Sequence, residues 1–511
     1  MLFLIALSPI LWLIVALSVL HMPAWKACSL ALIIALACAL GVENMTTIHA
    51  IQAVLQGVAL ACWPILLVIV AAIFTYNLTL HTKGMDVIKQ MLTSVSSDRR
   101  VLILLIGWGF GAFLEGMAGF GTAVAIPAGM LAGIGVNPVL AASVCLVANS
   151  VPTAYGSIGI PLVTLSSVTG IDSVKLATYT CLQLAPITCL CPIIMTIVAG
   201  GSVKALKGMG LIILAAILGF LVPEIIVATL VGPELAVVAA AIGTIGAIVA
   251  AAKLFPVEDP AYAMDTHQDA EPVTMQRGLV ACLPFILIFF FLLFTSKLVP
   301  VLHDPLAAIK TSVEIYEGAA PYTFTWIATP GVLILLAAFI GGHVQGAGFG
   351  EMFGVLRKTF VNLRFTMITI ITVIATAEVM GFSGMTHQIA DTAVAATGAG
   401  YPAIAAFIGS VGGFITGSCT STCILLGKLQ IDAAIAIGAG ENAQTWIAAA
   451  NAVGACAGKL IAPQSIAIGV AAIGAAGKGS ESKILSLSMK IYIPFTIVLG
   501  LLVYFGSGML E

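Results

Sequence analysis

Charge is the scarcest ingredient of this sequence. Asp, Glu, Lys and Arg make up 8% of its 511 residues, where soluble globular domains carry roughly 25%. A soluble fold of this length could not cover its surface with so few, which excludes a soluble enzyme and equally a disordered chain. The 20 Lys+Arg balance 22 Asp+Glu, so no basic stripe is left for a nucleic acid. No Lys or Arg precedes the apolar run at residues 2–20, the first being Lys26. That run lacks the basic start of a cleavable secretory signal and is expected to stay as a first membrane helix, with the N-terminus outside.

Clusters that carry chemistry are missing too. No Walker A loop appears, which excludes an ATP-driven pump within this chain. His21, His49, His81, His267, His303, His343 and His387 fall in loops or at span ends, none at metal-ligand spacing. The eleven cysteines lie in apolar surroundings without a His partner and read as small polarizable residues in helix contacts. No metal, cofactor or enzyme activity is expected.

What is abundant is apolar residues, 60% of the chain, with 52 Gly and 22 Pro spread among them, as membrane helices allow. Apolar runs lie near 2–20, 24–40, 52–78, 101–165, 176–200, 209–230 and 234–252. They resume near 279–299, 325–342, 365–385, 402–475 and 489–508. At about 20 residues per pass this predicts an all-α polytopic membrane protein with roughly 12–14 passes. An open sheet is excluded because lipid cannot satisfy free backbone groups, and the runs lack the alternation of a barrel.

Positive charge in short loops assigns the sides. Lys83, Lys89, Arg99 and Arg100 mark one cytoplasmic loop; Lys204 with Lys207, then Arg357, Lys358 and Arg364, then Lys478, Lys483 and Lys490 mark three more. Segments 41–50, 300–324 and 386–400 are poor in Lys and Arg and are placed outside. The acidic segment 253–278, with Glu258, Asp259, Asp265, Asp269 and Glu271, reads as a mobile cytoplasmic connector. It divides a first half, 1–252, from a second half, 279–511.

The two halves contain an internal repeat. GAFLEG at 111–116 matches GGFITG at 412–417, and ANSVPTAYGSIGIP at 148–161 matches ANAVGACAGKLIAP at 450–463. The offsets, 301 and 302, keep the order of the blocks. The first copy, in the hairpin region 101–165, follows a basic loop and is entered from the cytoplasm. The second, in 402–475, follows a segment free of Lys and Arg and is entered from outside. Two inverted-topology repeats are therefore expected, the sequence pointer to a secondary transporter's midplane site. Each copy has a stretch too polar and Gly-rich for a plain helix, Glu115–Thr122 and Thr416–Cys423. A break there exposes helix N-termini that can hold an anion; close helix packing by small residues is the alternative.

At these residues the chain resembles the bacterial lactate permease family. The matching stretches are GAFLEGMAGFGTAVAI (111–126), ANSVPTAYGSIGIP (148–161), NLRFTMITI (362–370), GFSGM (381–385), FITGSCTST (414–422) and GKLIAPQSIAI (458–468). The resemblance implies a proton-coupled carrier of lactate or a related 2-hydroxymonocarboxylate in the bacterial cytoplasmic membrane, with broken, re-entrant hairpins moving as an elevator. The oligomeric state stays open, a homodimer included. One departure stands out: the family's TGSDTSSN-type stretch has an acid and an Asn where this chain has Cys419 and Cys423. Na⁺ coupling, another carboxylate substrate and a passive anion channel therefore remain alternatives.

Ionisable residues within spans are costly and mark function by default. Glu115 is the candidate proton carrier and Glu378 the second. Lys459 is the candidate cation for the substrate carboxylate, or a counter-ion for Glu115, and the two roles are compatible. Arg364 is its rival, unless it snorkels to the interface. The remaining candidate substrate contacts are Gly116, Gly119, Gly121, Thr122, Asn149 and Tyr155 in the first copy. In the second they are Thr416, Gly417, Ser418, Thr420, Ser421, Asn451, Gln464 and Ser465. Lys428 and Asp432, four apart, are expected to pair at a helix end. Glu224, beside Pro223, is expected near the outer surface.

Overall fold

The computed structural model describes residues 2–510 except His21, Phe120, Glu258, 265–272, Lys297, Ala320 and 474–479. The connector acids Glu258, Asp265, Asp269 and Glu271, the basic-loop Lys478, and His21 and His267 lie outside the described residues. Among those described, 11 helices are long and apolar enough to cross a membrane, or up to 13 if each of two bent pairs counts as one span. The apolar run at 2–20 forms the helix Leu2–Ile14 and a π turn, Val15–Val19.

One segment departs from an all-helical chain. Lys310–Val313 and Tyr322–Thr325 pair antiparallel, with Lys310 opposite Thr325 and Val313 opposite Tyr322. Val, Thr, Tyr and Phe favour the pleated backbone. The hairpin is tied to the helix kink at Trp63–Pro64: Tyr322 donates its hydroxyl to the Trp63 carbonyl, and the Trp63 indole donates to Thr325 O at 3.0 Å.

The segments 99–200 and 401–510 run through the same order of elements. The first has a helix Arg99–Met117 and a short helix Thr122–Gly133. A pair Pro138–Asn149 and Pro152–Thr169, bent by 59°, and a long helix Ser173–Gly200 complete it. The second has Tyr401–Thr416, then Cys419–Ala436. Its pair Glu441–Ile461 and Pro463–Ala472 is bent by 51°, and Glu481–Leu510 ends it. The two cross over reciprocally: Thr122–Gly133 packs on Pro463–Ala472, while Cys419–Ala436 packs on Gly156–Thr169. Both exchanges bring the broken ends together.

Breaks follow local chemistry more narrowly than the composition of these stretches suggests. Glu115, Gly116 and Met117 are still helical, and so are Thr416 and Cys419–Cys423. Among the described residues of the two stretches, only 118, 119, 121 and 417–418 leave the helix. Gly119 (φ 62°), Gly121 (φ 85°) and Gly417 (φ 63°) supply the left-handed turns that a side chain would strain. The bend of the first pair is wider than that of the second. Pro152 disfavours helix at Val151, and Ser157, Ile158 and Gly159 all have positive φ (48°, 60° and 71°). The equivalent stretch of the second copy stays helical to Ile461 and breaks only before Pro463.

The described part of the connector is docked. Arg99 N–H donates to Tyr262 O and Met264 N–H to Ser97 O (3.0 and 2.9 Å), and the Arg100 guanidinium lies 3.9 Å from the Tyr262 ring centre. Arg100 is buried and paired with Asp98 at 2.7 Å. Met264 also faces Gly135, just past the end of Thr122–Gly133. The entry and the exit of the first hairpin thus meet at one point of the connector. Away from the connector, Lys175, after the first bent pair, meets Glu441, at the start of the second, at 3.0 Å.

Candidate functional site

Both broken hairpins and both bends open onto one cavity of about 360 Å³. The first copy supplies Glu115, Gly121, Asn149, Thr153, Gly156 and Ser157 to its wall. The second supplies the tip Thr416–Ser421, then Lys459 and Ser465. A third wall comes from outside the repeats: Ala24 and Trp25, with Phe365, Thr366, Thr369 and Ile370 of the long helix Phe349–Phe382. Trp25 and Phe365 stack with ring centres 5.3 Å apart.

The charged centre joins the two copies. Lys459 Nζ stands 3.0 Å from Glu115 Oε1, with side chains 14% and 3% exposed, and donates also to Thr153 Oγ1 at 3.2 Å. With its amide nitrogen turned to the carboxylate, Asn149 donates to Glu115 Oε2 at 3.0 Å, and its oxygen faces Lys459 Nζ at 3.3 Å. Thr153 in turn donates to Asn149 O at 2.6 Å. Gly156 is required here: a Cβ at that position would stand 2.8 Å from Glu115 Oε1. A pair this dry is held by mutual compensation, and removing one partner would leave an unpaired charge at a cost of about 3–5 kcal/mol.

Around the pair the wall is polar without further charge. Ser157 Oγ donates to Ala118 O at 2.8 Å and Thr122 Oγ1 to Gly119 O at 2.7 Å, closing the first tip. Thr416 Oγ1 accepts from Ser418 N–H at 3.1 Å, and Ser418 Oγ caps Ser421 N–H at 3.2 Å. The helix Cys419–Ala436 therefore starts at the cavity with the N–H groups of Cys419 and Thr420, which have no intrahelical partner by position. Its positive dipole end points at the space. Pro463–Ala472 begins there as well, placing Ser465 on the wall.

Of the residues expected at the site, Glu115, Gly121, Asn149, Thr416, Gly417, Ser418, Thr420, Ser421, Lys459 and Ser465 line this cavity. The others stand behind or away from it. Gly116 packs on Val237 and Val238, and Gly119 on Ser157. Thr122 closes the tip, while the buried Tyr155 donates to Ala177 O at 2.6 Å. Asn451 donates to Thr422 O and Gln464 to Ile415 O, both at 3.3 Å. Arg364 is exposed and lies over the Phe365 ring at 4.7 Å. Glu378 is on the same long helix, on the side of Lys428. Lys428 does not pair with Asp432 among the described ion pairs; its stem runs beside Gly381. Glu224 is fully buried within the helix Gly210–Leu230.

Thr153, Gly156, Ser157, Cys419 and the whole third wall line the cavity without having been expected there. Thr153 sits inside the repeated block and had a signal in its hydroxyl, one helical turn past Asn149. Thr366 and Thr369 had one in their place within an apolar span. Trp25 had none, because its approach is purely tertiary.

The small-residue alternative also has a physical place. Gly409 and Gly413 face Asn451 and Ala455, while Gly454 and Gly458 face Ala406, Ser410 and Phe414. These glycines form a backbone-to-backbone seam between Tyr401–Thr416 and Glu441–Ile461. The same two helices thus use glycine for contact in their middle and polar residues for the cavity at their ends.

A family model described as L-lactate permease matches residues 2–509. An L-lactate permease of Streptococcus iniae is 42% identical over 436 residues, covering 84% of this chain and 90% of that protein. The glycolate permease GlcA of Escherichia coli (strain K12) is 31% identical over 552 residues, covering 99% and 96%. An L-lactate permease of Salmonella typhimurium is 32% identical over 535 residues, covering 98% and 94%. Among solved structures, the YdaH transporter of Alcanivorax borkumensis aligns with a TM-score of 0.45 at 14% identity, over 86% of this chain and 85% of that one.

Proposed function

The chain belongs to the L-lactate permease family, and we propose that it is a secondary transporter importing lactate or a related 2-hydroxymonocarboxylate with a proton across a bacterial cytoplasmic membrane. The observation that carries the reading is the Lys459–Glu115 pair, made between the two copies at the wall of a polar cavity. Lys459 is the cation a carboxylate needs, but at rest it is already neutralised. An arriving anion and Glu115 compete for it, so the anion is held best when Glu115 has taken up a proton. Charge balance at the pair then binds substrate and proton together.

The rest of the wall fits that cargo. Helix N-termini and the hydroxyls of Thr416, Ser418, Thr420 and Thr153 offer neutral donors to a carboxylate and a 2-hydroxyl. Ala24, Trp25, Phe365 and Ile370 offer an apolar surface to a short carbon skeleton. Glu378, away from this cavity beside Lys428, is the second proton-carrying candidate. In an inverted arrangement the two hairpins enter from opposite faces and move together as an elevator against the long helix Phe349–Phe382. Two contacts support it. Ser97 and Gly135 share Met264 at one end of the first bent pair, whereas Lys175, past its other end, meets Glu441.

The test is lactate uptake into proteoliposomes with pH and Na⁺ gradients imposed separately. Accumulation following the pH gradient alone is expected. Entry that follows neither gradient, or only equilibrates, would sink symport; dependence on Na⁺ alone would move the coupling to that ion.

A further inference from the structure

The helix Gly210–Leu230 carries a carboxyl that the pairing at Lys459 does not use. Its outward residues Leu211, Leu214, Leu218, Val222, Ile226 and Leu230 are about half exposed, whereas Ala216, Phe220, Glu224 and Ala228 form the inward stripe at four-residue spacing and are 0% exposed. Glu224 is the one polar member of that stripe. Neither of its oxygens has a hydrogen-bond partner among the described residues, and no described ion pair includes it. A carboxylate there would be an unpaired charge out of reach of water, far costlier than a neutral acid.

The surroundings connect this carboxyl with the cavity. Cys181, on Ser173–Gly200, stands beside Glu224 with its thiol, a weak donor, turned towards the carboxyl, and Tyr155 is within electrostatic reach. One turn before Cys181, the carbonyl of Ala177 receives the Tyr155 hydroxyl. The next residue after Tyr155 is Gly156, whose backbone rests against Glu115. The irregular segment from Pro152 to Gly159, a 3-10 turn at Pro152–Tyr155 followed by positive φ at Ser157–Gly159, therefore has Glu115 on one side and the Glu224 neighbourhood on the other. Facing Pro223, the helix Pro233–Leu254 presents Gly243; its charged residues, Glu234 and Lys253, lie at its two ends. Cys181 and Tyr155 are thus the titratable groups that meet Glu224 from the elements packed on it.

We infer that Glu224 is a second proton-binding site of the transport cycle, communicating with the Lys459–Glu115 pair through the irregular segment 152–159. Its ligand is the proton, exchanged when the hairpin domain moves and that segment repacks. The inference rests on the symport reading above and adds a proton to it.

The test is the limiting accumulation of lactate in proteoliposomes at a pH difference of one unit, with membrane potential clamped at zero. Each coupled proton multiplies that ratio by about ten per pH unit, or roughly 1.4 kcal/mol. Glu224→Gln is expected to lower it about tenfold while lactate–lactate exchange persists, and Glu224→Asp to restore most of it. An unchanged ratio in Glu224→Gln overturns the inference. So does loss of exchange in both variants, the result a purely structural carboxyl would give. Wild-type protein that fails to follow pH at all would instead overturn the symport reading, before either variant is compared.

Discussion

Lys459 and Glu115 compensate each other in a nearly dry site, and that fixes what each substitution should do. Lys459→Met removes the cation and leaves Glu115 with only Asn149. A charge-assisted contact with a substrate carboxylate is worth about 1.5–3 kcal/mol. The half-saturation concentration for lactate uptake is therefore expected to rise roughly ten- to a hundredfold, read from initial rates in proteoliposomes. Near-normal affinity in that variant would remove Lys459 from the site. Cys419 belongs to the same scale. It lines the cavity as a thiol and adds no fixed charge to the wall beside the Lys459–Glu115 pair.

At the scale of elements, the two hairpins follow the same order of helices with different stops. The first arm of each copy ends in glycine with positive φ, and each tip is knotted by threonine and serine hydroxyls. Between Tyr401–Thr416 and Glu441–Ile461 the glycine seam decides how closely the arms approach. Gly458→Leu would push side-chain atoms into the backbone of Ser410 and Phe414. Overpacking of this kind costs about 1–3 kcal/mol or more. A lower midpoint of thermal aggregation in detergent is expected, together with lost transport; an unchanged midpoint would mean that the seam opens freely.

For the whole molecule, the expectation is that the hairpins return to opposite faces. Gly133 and Ala436 are exposed residues at the ends of Thr122–Gly133 and Cys419–Ala436. In a background in which the exposed Cys62 is replaced, cysteine at 436 should react with an impermeant maleimide in intact cells. Cysteine at 133 should react only after the membrane is opened. Labelling of both from the same side would contradict inverted hairpins.

Composition and order were enough to determine the class of the molecule. So few charges in so long an apolar chain allow only a helical membrane protein, and two blocks repeated at nearly one offset mark the elements that break. They also brought Glu115 and Lys459 onto a short list of ionisable residues within or near spans. That list could not say which of them meet, because a charge buried in a span must find its partner across helices distant in sequence. Tertiary packing decided that Lys459 reaches Glu115, while Glu378 lies towards Lys428 and Arg364 faces outward. It also brought Trp25 and Phe365 to the cavity and buried Glu224 on the one inward stripe of an otherwise outward-facing helix. Periodicity marks which residues share a face of a helix; only the packed neighbours determine whether that face meets lipid, a cavity or another carboxyl.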